Sequence, residues 1–179
     1  MAHYLLQKTV HQFISDISDQ HQAITNIVIT VCGAQLVALG EACMQISLDH
    51  QVDVLDWQDV SSRIAEMARI KEALIACGDM ALAQEIEPFD ETGLNQQQLE
   101  LTCKSLAESA SLMVSAVNIL QDFEPMMLTQ VQKDVKIAQN LMMGVVQSAV
   151  GLLEFLLQSK SASASFREAM QEALLSLPR

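Results

Sequence analysis

Asp79 is the residue in this sequence best suited to acid/base work, because it sits late in an otherwise apolar, small-residue run, Ala76, Cys77, Gly78, Asp79, Met80, Ala81, Leu82, Ala83. A carboxylate buried there without a partner is costly; the plainer reading sets it on the polar side of a helix, facing solvent. Lys133, Asp134 and Lys136 form the next candidate, two cations three residues apart around one carboxylate. They fall near the start of a long helical segment, whose positive end favours an anion, and the same trio also reads as a solvated face. Met113, Met126, Met127, Met142 and Met143 suit a pliable cavity, but methionine commonly fills irregular core gaps, and that reading is preferred. His3, His11, His21 and His50 lie mostly near the ends of expected elements and read as solvated or loosely hydrogen-bonded. Cys32, Cys43, Cys77 and Cys103 stand singly, without a CxxC pair or a histidine at metal-ligand spacing. They read as reduced core thiols in a cytoplasmic protein, and no metal is expected. HExxH, glycine-rich phosphate loops and nucleophile elbows are missing from the sequence.

These groups need elements to position them, and composition says which kind. Half of the 179 residues are apolar and only 4% are aromatic. Ala, Leu, Met, Gln and Glu favour helices over strands. Ten basic residues stand against 22 acidic ones, a formal charge of -12. Such a surface repels phosphate backbones and anionic headgroups, so neither nucleic acid nor a membrane is an expected partner. Met1 to Lys8 lacks the basic start, apolar stretch and cleavage site of a secretory signal, so export is not expected.

Apolar spacing follows the helical period almost throughout, predicting an all-α bundle of about five or six helices. Leu6, Val10, Phe13, Ile14 and Ile17 mark a first helix over about residues 2–18. The segment Ile24 to Ile46 is apolar enough to suggest a membrane span, yet Asn26, Gln35, Glu41 and Gln45 interrupt it and no basic cluster flanks it. It reads as a central helix buried on nearly all sides, with Gly33, Ala34, Ala38, Gly40 and Ala42 smoothing one flank for a close neighbour. Asp53 or Asp56 caps a helix over about 60–85 with Val60, Ile64, Met67, Ile70, Leu74 and Cys77 inward. Pro88 and Gly93 end that pattern, and Asn95 with Gln98 opens a helix to about Gln121 carrying Leu99, Leu106, Met113, Val117 and Leu120. Pro125 marks the next junction. The longest periodic segment runs over 128–158, with Val131, Val135, Ala138, Met142, Val145, Ala149, Leu152 and Leu156 inward, and with Gly144 and Gly151 marking close packing or a bend. Residues 1–158 thus form the helical domain. Residues 159–179 hold a Ser/Ala-rich linker and a short helix, capped by Ser165 with Glu168, whose apolar stripe from Phe166 to Leu177 docks on this domain or on a second subunit.

The order of these segments resembles the cyclodeaminase/cyclohydrolase family, the fold of the formiminotransferase-cyclodeaminase C-terminal domain and of methenyltetrahydrofolate cyclohydrolases. The likeness covers about residues 5–160. It rests on the Val31, Cys32, Gly33, Ala34 and Ala38, Leu39, Gly40, Glu41 runs of the central helix, on Arg69 to Ala83 with Asp79 in the family's aspartate position, and on Gln132 to Leu157 as its late small-residue helix. The resemblance implies a homodimer and a site for a tetrahydrofolate derivative, with Thr25, Asn26, Lys133 and Lys136 at ligand-binding positions. Asp79 and Asp134 would be its catalytic pair if the protein is active.

Where the family has a Pro-Gly-Gly-Gly turn, however, this chain has Ala23, Ile24, Thr25 and Asn26. β-Branched residues there resist the tight turn and close backbone approach. Gln132 and Lys133 stand in place of the family's Ser-Asp step, and Gly151 and Glu154 in place of its late asparagines. The expectation is therefore a cyclodeaminase-like domain that acts by binding or interaction without folate turnover. Two alternatives stay open: an active folate one-carbon enzyme, and a helical adaptor that recruits a partner protein through its C-terminal helix with no small-molecule site.

Overall fold

Continuous stretches of Ala, Leu, Met, Gln and Glu without an internal proline give this chain helices of unusual length. A computed structural model of the protein describes residues 12, 25–50, 57–85, 96–158 and 163–175. Among these the fold is an all-α bundle: α1 Thr25–His50, α2 Trp57–Glu85, α3 Gln96–Phe123, α4 Thr129–Leu157 and α5 Ala164–Leu175. A 3₁₀ turn, Glu124–Met126, carries Pro125 at the corner between α3 and α4. The expected first helix, the Asp53 or Asp56 cap, the Pro88 and Gly93 break, Asn95 and Leu177 lie outside the described residues.

α1 packs on α2, α3 and α4, and α3 packs on α2 and α4, which leaves α2 and α4 at opposite corners of a flattened four-helix arrangement. The short diagonal between α1 and α3 exists because α1 has glycines there. A Cβ on Gly33 would lie 2.7 Å from Met113 Sδ, and one on Gly40 would lie 2.7 Å from Leu120 Cδ1. Both are closer than real side chains come, so only glycine admits this approach. The inward residues read from periodicity on α2 and α3 are buried, with Ile64 half-buried.

Four expectations change. α1 is not buried all round: Gln35, Leu39, Ala42 and Ile46 form an exposed strip on the side that meets no described helix. Gly144 and Gly151 do not mark close packing within the bundle, since a Cβ on either would meet nothing within 4 Å, and α4 runs unbroken past both. After Met142 Ala149 is buried as expected, but the rest of the buried line of α4 moves on by one residue, to Val146, Leu153 and Leu157, leaving Val145, Leu152 and Leu156 half-buried. An undistorted helix turns every 3.6 residues, and over seven turns that period outruns a strict alternation of threes and fours. The cap of α5 is Ser163, not Ser165: its Oγ accepts from Phe166 N at 3.3 Å, and its carbonyl accepts from Arg167 N at 3.0 Å.

α5 docks on this same chain. Phe166 is buried in a small cluster with Leu99, Cys103, Leu153 and Leu157, and Lys104 lies over its ring. Among the described residues two helices, α1 and α4, are long and apolar enough to cross a membrane by length and composition; half of the apolar stretch of α1 is buried in the bundle, but only 28% of that of α4.

Candidate functional site

Residue contacts fix the register of the helices and so place the candidate groups. Gly33 faces Leu74, and Gly40 faces Met67, so α1 and α2 run antiparallel; Gly33 with Met113 and Gly40 with Leu120 make α1 and α3 parallel. The buried hydroxyl of Ser47 joins α1 to the start of α4, donating to Cys43 O at 2.9 Å and accepting from Leu128 N at 3.2 Å. Asp79 then lies level with about residue 28 of α1, while Lys133, Asp134 and Lys136 lie level with its last third. The offset of about 13 residues is roughly 20 Å along the axis at 1.5 Å per residue. Asp79 is also on the corner of the bundle opposite α4. The residues assigned by sequence therefore divide into two groups, Thr25, Asn26 and Asp79 at one end and Lys133, Asp134 and Lys136 at the other.

At the α4 end the trio is exposed. Lys136 Nζ lies 3.7 Å from Glu124 Oε2, and Gln139 Nε2 donates to the same oxygen at 3.3 Å. Lys136 thus braces the corner between α3 and α4. Asp134 is near enough to Cys43 to add to the rise that burial gives its thiol pKa.

The other end holds a buried polar layer that the sequence reading did not single out. One turn below Gly33, toward Thr25, α1 presents Thr30 and then Asn26, while the matching turns of α2 and α3 present Cys77, Ser109 and Ser105. Thr30 is satisfied within its own helix, its Oγ1 donating to Ile27 O at 2.9 Å and to Asn26 O at 3.2 Å. Asn26 is 5% exposed, and its Oδ1 has no hydrogen-bond partner; Ser105 and Ser109 Oγ, also buried, lack a well-aligned one. Burial pushes the Cys77 thiol up, with Glu108 adding to the rise, and the nearby Ser109 and Ser105 hydroxyls partly offset it. Asp79 is half-buried two residues past Cys77, about 200° further round α2 and so on the side away from this layer, and Thr25 is exposed at the first turn of α1. Serines spaced four apart in line with buried Leu106 and Met113 were the available signal: Ser105 and Ser109 fall on the inward face of α3.

Within one chain the positions that the resemblance assigns to a folate fall in two groups, Thr25 and Asn26 toward one end of the bundle and Lys133 and Lys136 toward the other. Among the described residues no group of three His, Cys, Asp or Glu side chains is arranged to hold a metal ion. Comparisons with protein families, with curated proteins and with solved structures return no match to this chain.

Proposed function

We propose that this chain is a cyclodeaminase-like helical domain that works by binding or association and does not turn over folate. The observation that carries the reading is the separation of Asp79 from Lys133, Asp134 and Lys136 along the bundle. General acid/base catalysis needs the proton-transferring group within hydrogen-bond reach of a substrate that other residues hold in place. Asp79 and Asp134, the catalytic pair that the resemblance implies, lie roughly 20 Å apart along the axis, so within one chain they do not meet at a single reacting atom. Calorimetric titration with a reduced folate tests this: no saturable heat is expected from the wild-type protein. Saturable binding that disappears in Asp79→Ala would overturn it.

One observation favours the second reading, an active folate enzyme. Asn26 Oδ1 and the Ser105 and Ser109 hydroxyls lie buried without well-aligned partners at the end where the resemblance sets Thr25, Asn26 and Asp79. Unsatisfied buried polar atoms cost about 1–3 kcal/mol each, and a bound polar ligand is one way to recover that. Under this reading the calorimetric signal survives Lys133→Ala and is lost in Asn26→Leu.

A further inference from the structure

We infer that the outward face of α4 is a self-association surface, on which a second copy of this chain seats its own α4 antiparallel about a twofold axis. The face is formed by Ile137, Leu141, Gly144, Ser148, Gly151 and Phe155. Ile137 and Leu141 are each 53% exposed and Phe155 is 69% exposed, although all three are large and apolar. Their spacing runs four, three, four, three, four. That is the 3.5-residue period of a two-helix seam, whereas the buried line on the other side of α4 keeps the longer period of the bundle core. One helix therefore carries two apolar faces, and the bundle covers one of them.

The order of side chains on this face names its occupant. A twofold interface requires that if residue i meets residue j, then j meets i. Set antiparallel and centred between Gly144 and Ser148, the face brings each of its six positions level with another of the six. Ile137 meets the partner's Phe155, Leu141 fills the space over the partner's Gly151, and Gly144 meets the partner's Ser148. The open space over Gly144 and Gly151, where an added Cβ touches nothing, is then the room the incoming helix uses. A parallel seam would set Gly144, Ser148 and Gly151 each against its own copy, whereas the antiparallel one covers Gly151 with Leu141.

Charge agrees. No charged residue occurs from Ile137 through Leu153, in a chain whose net charge is -12, so the seam brings no acidic groups together. The inference deepens the association reading above without depending on the folate result: a catalytically active dimer would share this seam, and a failed dimer test leaves the folate titration to be judged by itself.

The test uses the full-length protein. Sedimentation equilibrium at tens of micromolar is expected to give a dimer, and Leu141→Glu or Gly151→Glu a monomer with unchanged helical circular dichroism. The double variant Leu141→Cys with Gly151→Cys, oxidised, is expected to yield a covalent dimer linked between positions 141 and 151. Those two positions are ten residues apart on one helix, about 15 Å, too far for a disulfide within a single chain. A monomeric wild type, a dimer indifferent to both glutamate variants, or crosslinks only between identical positions would each overturn the inference. So would a wild-type chain that floats with anionic or zwitterionic lipid vesicles and becomes monomeric when solubilised, which would assign the face to a membrane.

Discussion

Gly33 and Gly40 on one hand and Gly144 and Gly151 on the other have opposite surroundings, and substitution reads the difference directly. Gly33→Ala puts a Cβ 2.7 Å from Met113 Sδ, so that this fully buried side chain must shift. Overpacking of this kind costs about 1–3 kcal/mol, against about 1 kcal/mol gained from the helix preference of alanine. A net loss in denaturant stability is expected. Gly144→Ala meets nothing within 4 Å and is expected to gain up to about 1 kcal/mol in the monomer; equal effects at the two sites would refute the packing described. Periodicity showed that both glycines lie in helices but not which side each faces, because the phase of α4 slips by one residue after Met142. Cys103 gives a second test at this scale. Burial, with Glu100 adding to it, pushes its thiol up to about 11. The unfolded chain loses this proton near pH 8.5–9 while the folded chain keeps it. Stability is therefore full below about pH 9 and falls, by on the order of 3 kcal/mol, as the pH rises through about 11. Urea midpoints measured between pH 8 and 11 should fall, and less so in Cys103→Ala.

At the scale of elements, α5 depends on one anchor. Phe166 is its only fully buried side chain, set against Leu99, Cys103, Leu153 and Leu157, while Met170 and Leu174 are half-buried. Phe166→Ala should remove about 3–5 kcal/mol of packing from this small cluster. Hydrogen exchange is expected to rise over 164–175 while the interiors of α1 to α4 stay protected; unchanged exchange in α5 would mean that other contacts hold it. The start of α4 depends on α1 through Ser47, whose hydroxyl accepts from Leu128 N. Sequence spacing placed α2, α3 and α4 to within a few residues because their apolar stripes are continuous. It did not reveal the link from Ser47 to Leu128, which joins residues 81 apart, nor the Ser163 cap, which lies in a run of near-identical Ser and Ala choices.

Across the whole molecule, the all-α architecture was legible because composition and period agreed at every helix. The candidate site was legible only in part. Asp79, Asn26 and the lysines were each identifiable as polar residues in suggestive company, but their mutual distance is a property of helix direction and corner, which no single stretch encodes. The polar layer of Asn26, Cys77, Ser105 and Ser109 was hidden for the same reason, being drawn from three helices. Each chain carries a net charge of -12, so the pairing proposed on α4 is opposed by long-range repulsion that salt screens. Dimer affinity should therefore strengthen between low and moderate salt, and weakening with salt would indicate a seam held mainly by ion pairs. The most direct measurement is of turnover itself: ammonia release from formiminotetrahydrofolate, and hydrolysis of methenyltetrahydrofolate, followed with the purified full-length protein. Rates no greater than those without protein are predicted for both; release that saturates with substrate and is abolished in Asp79→Asn would contradict the account.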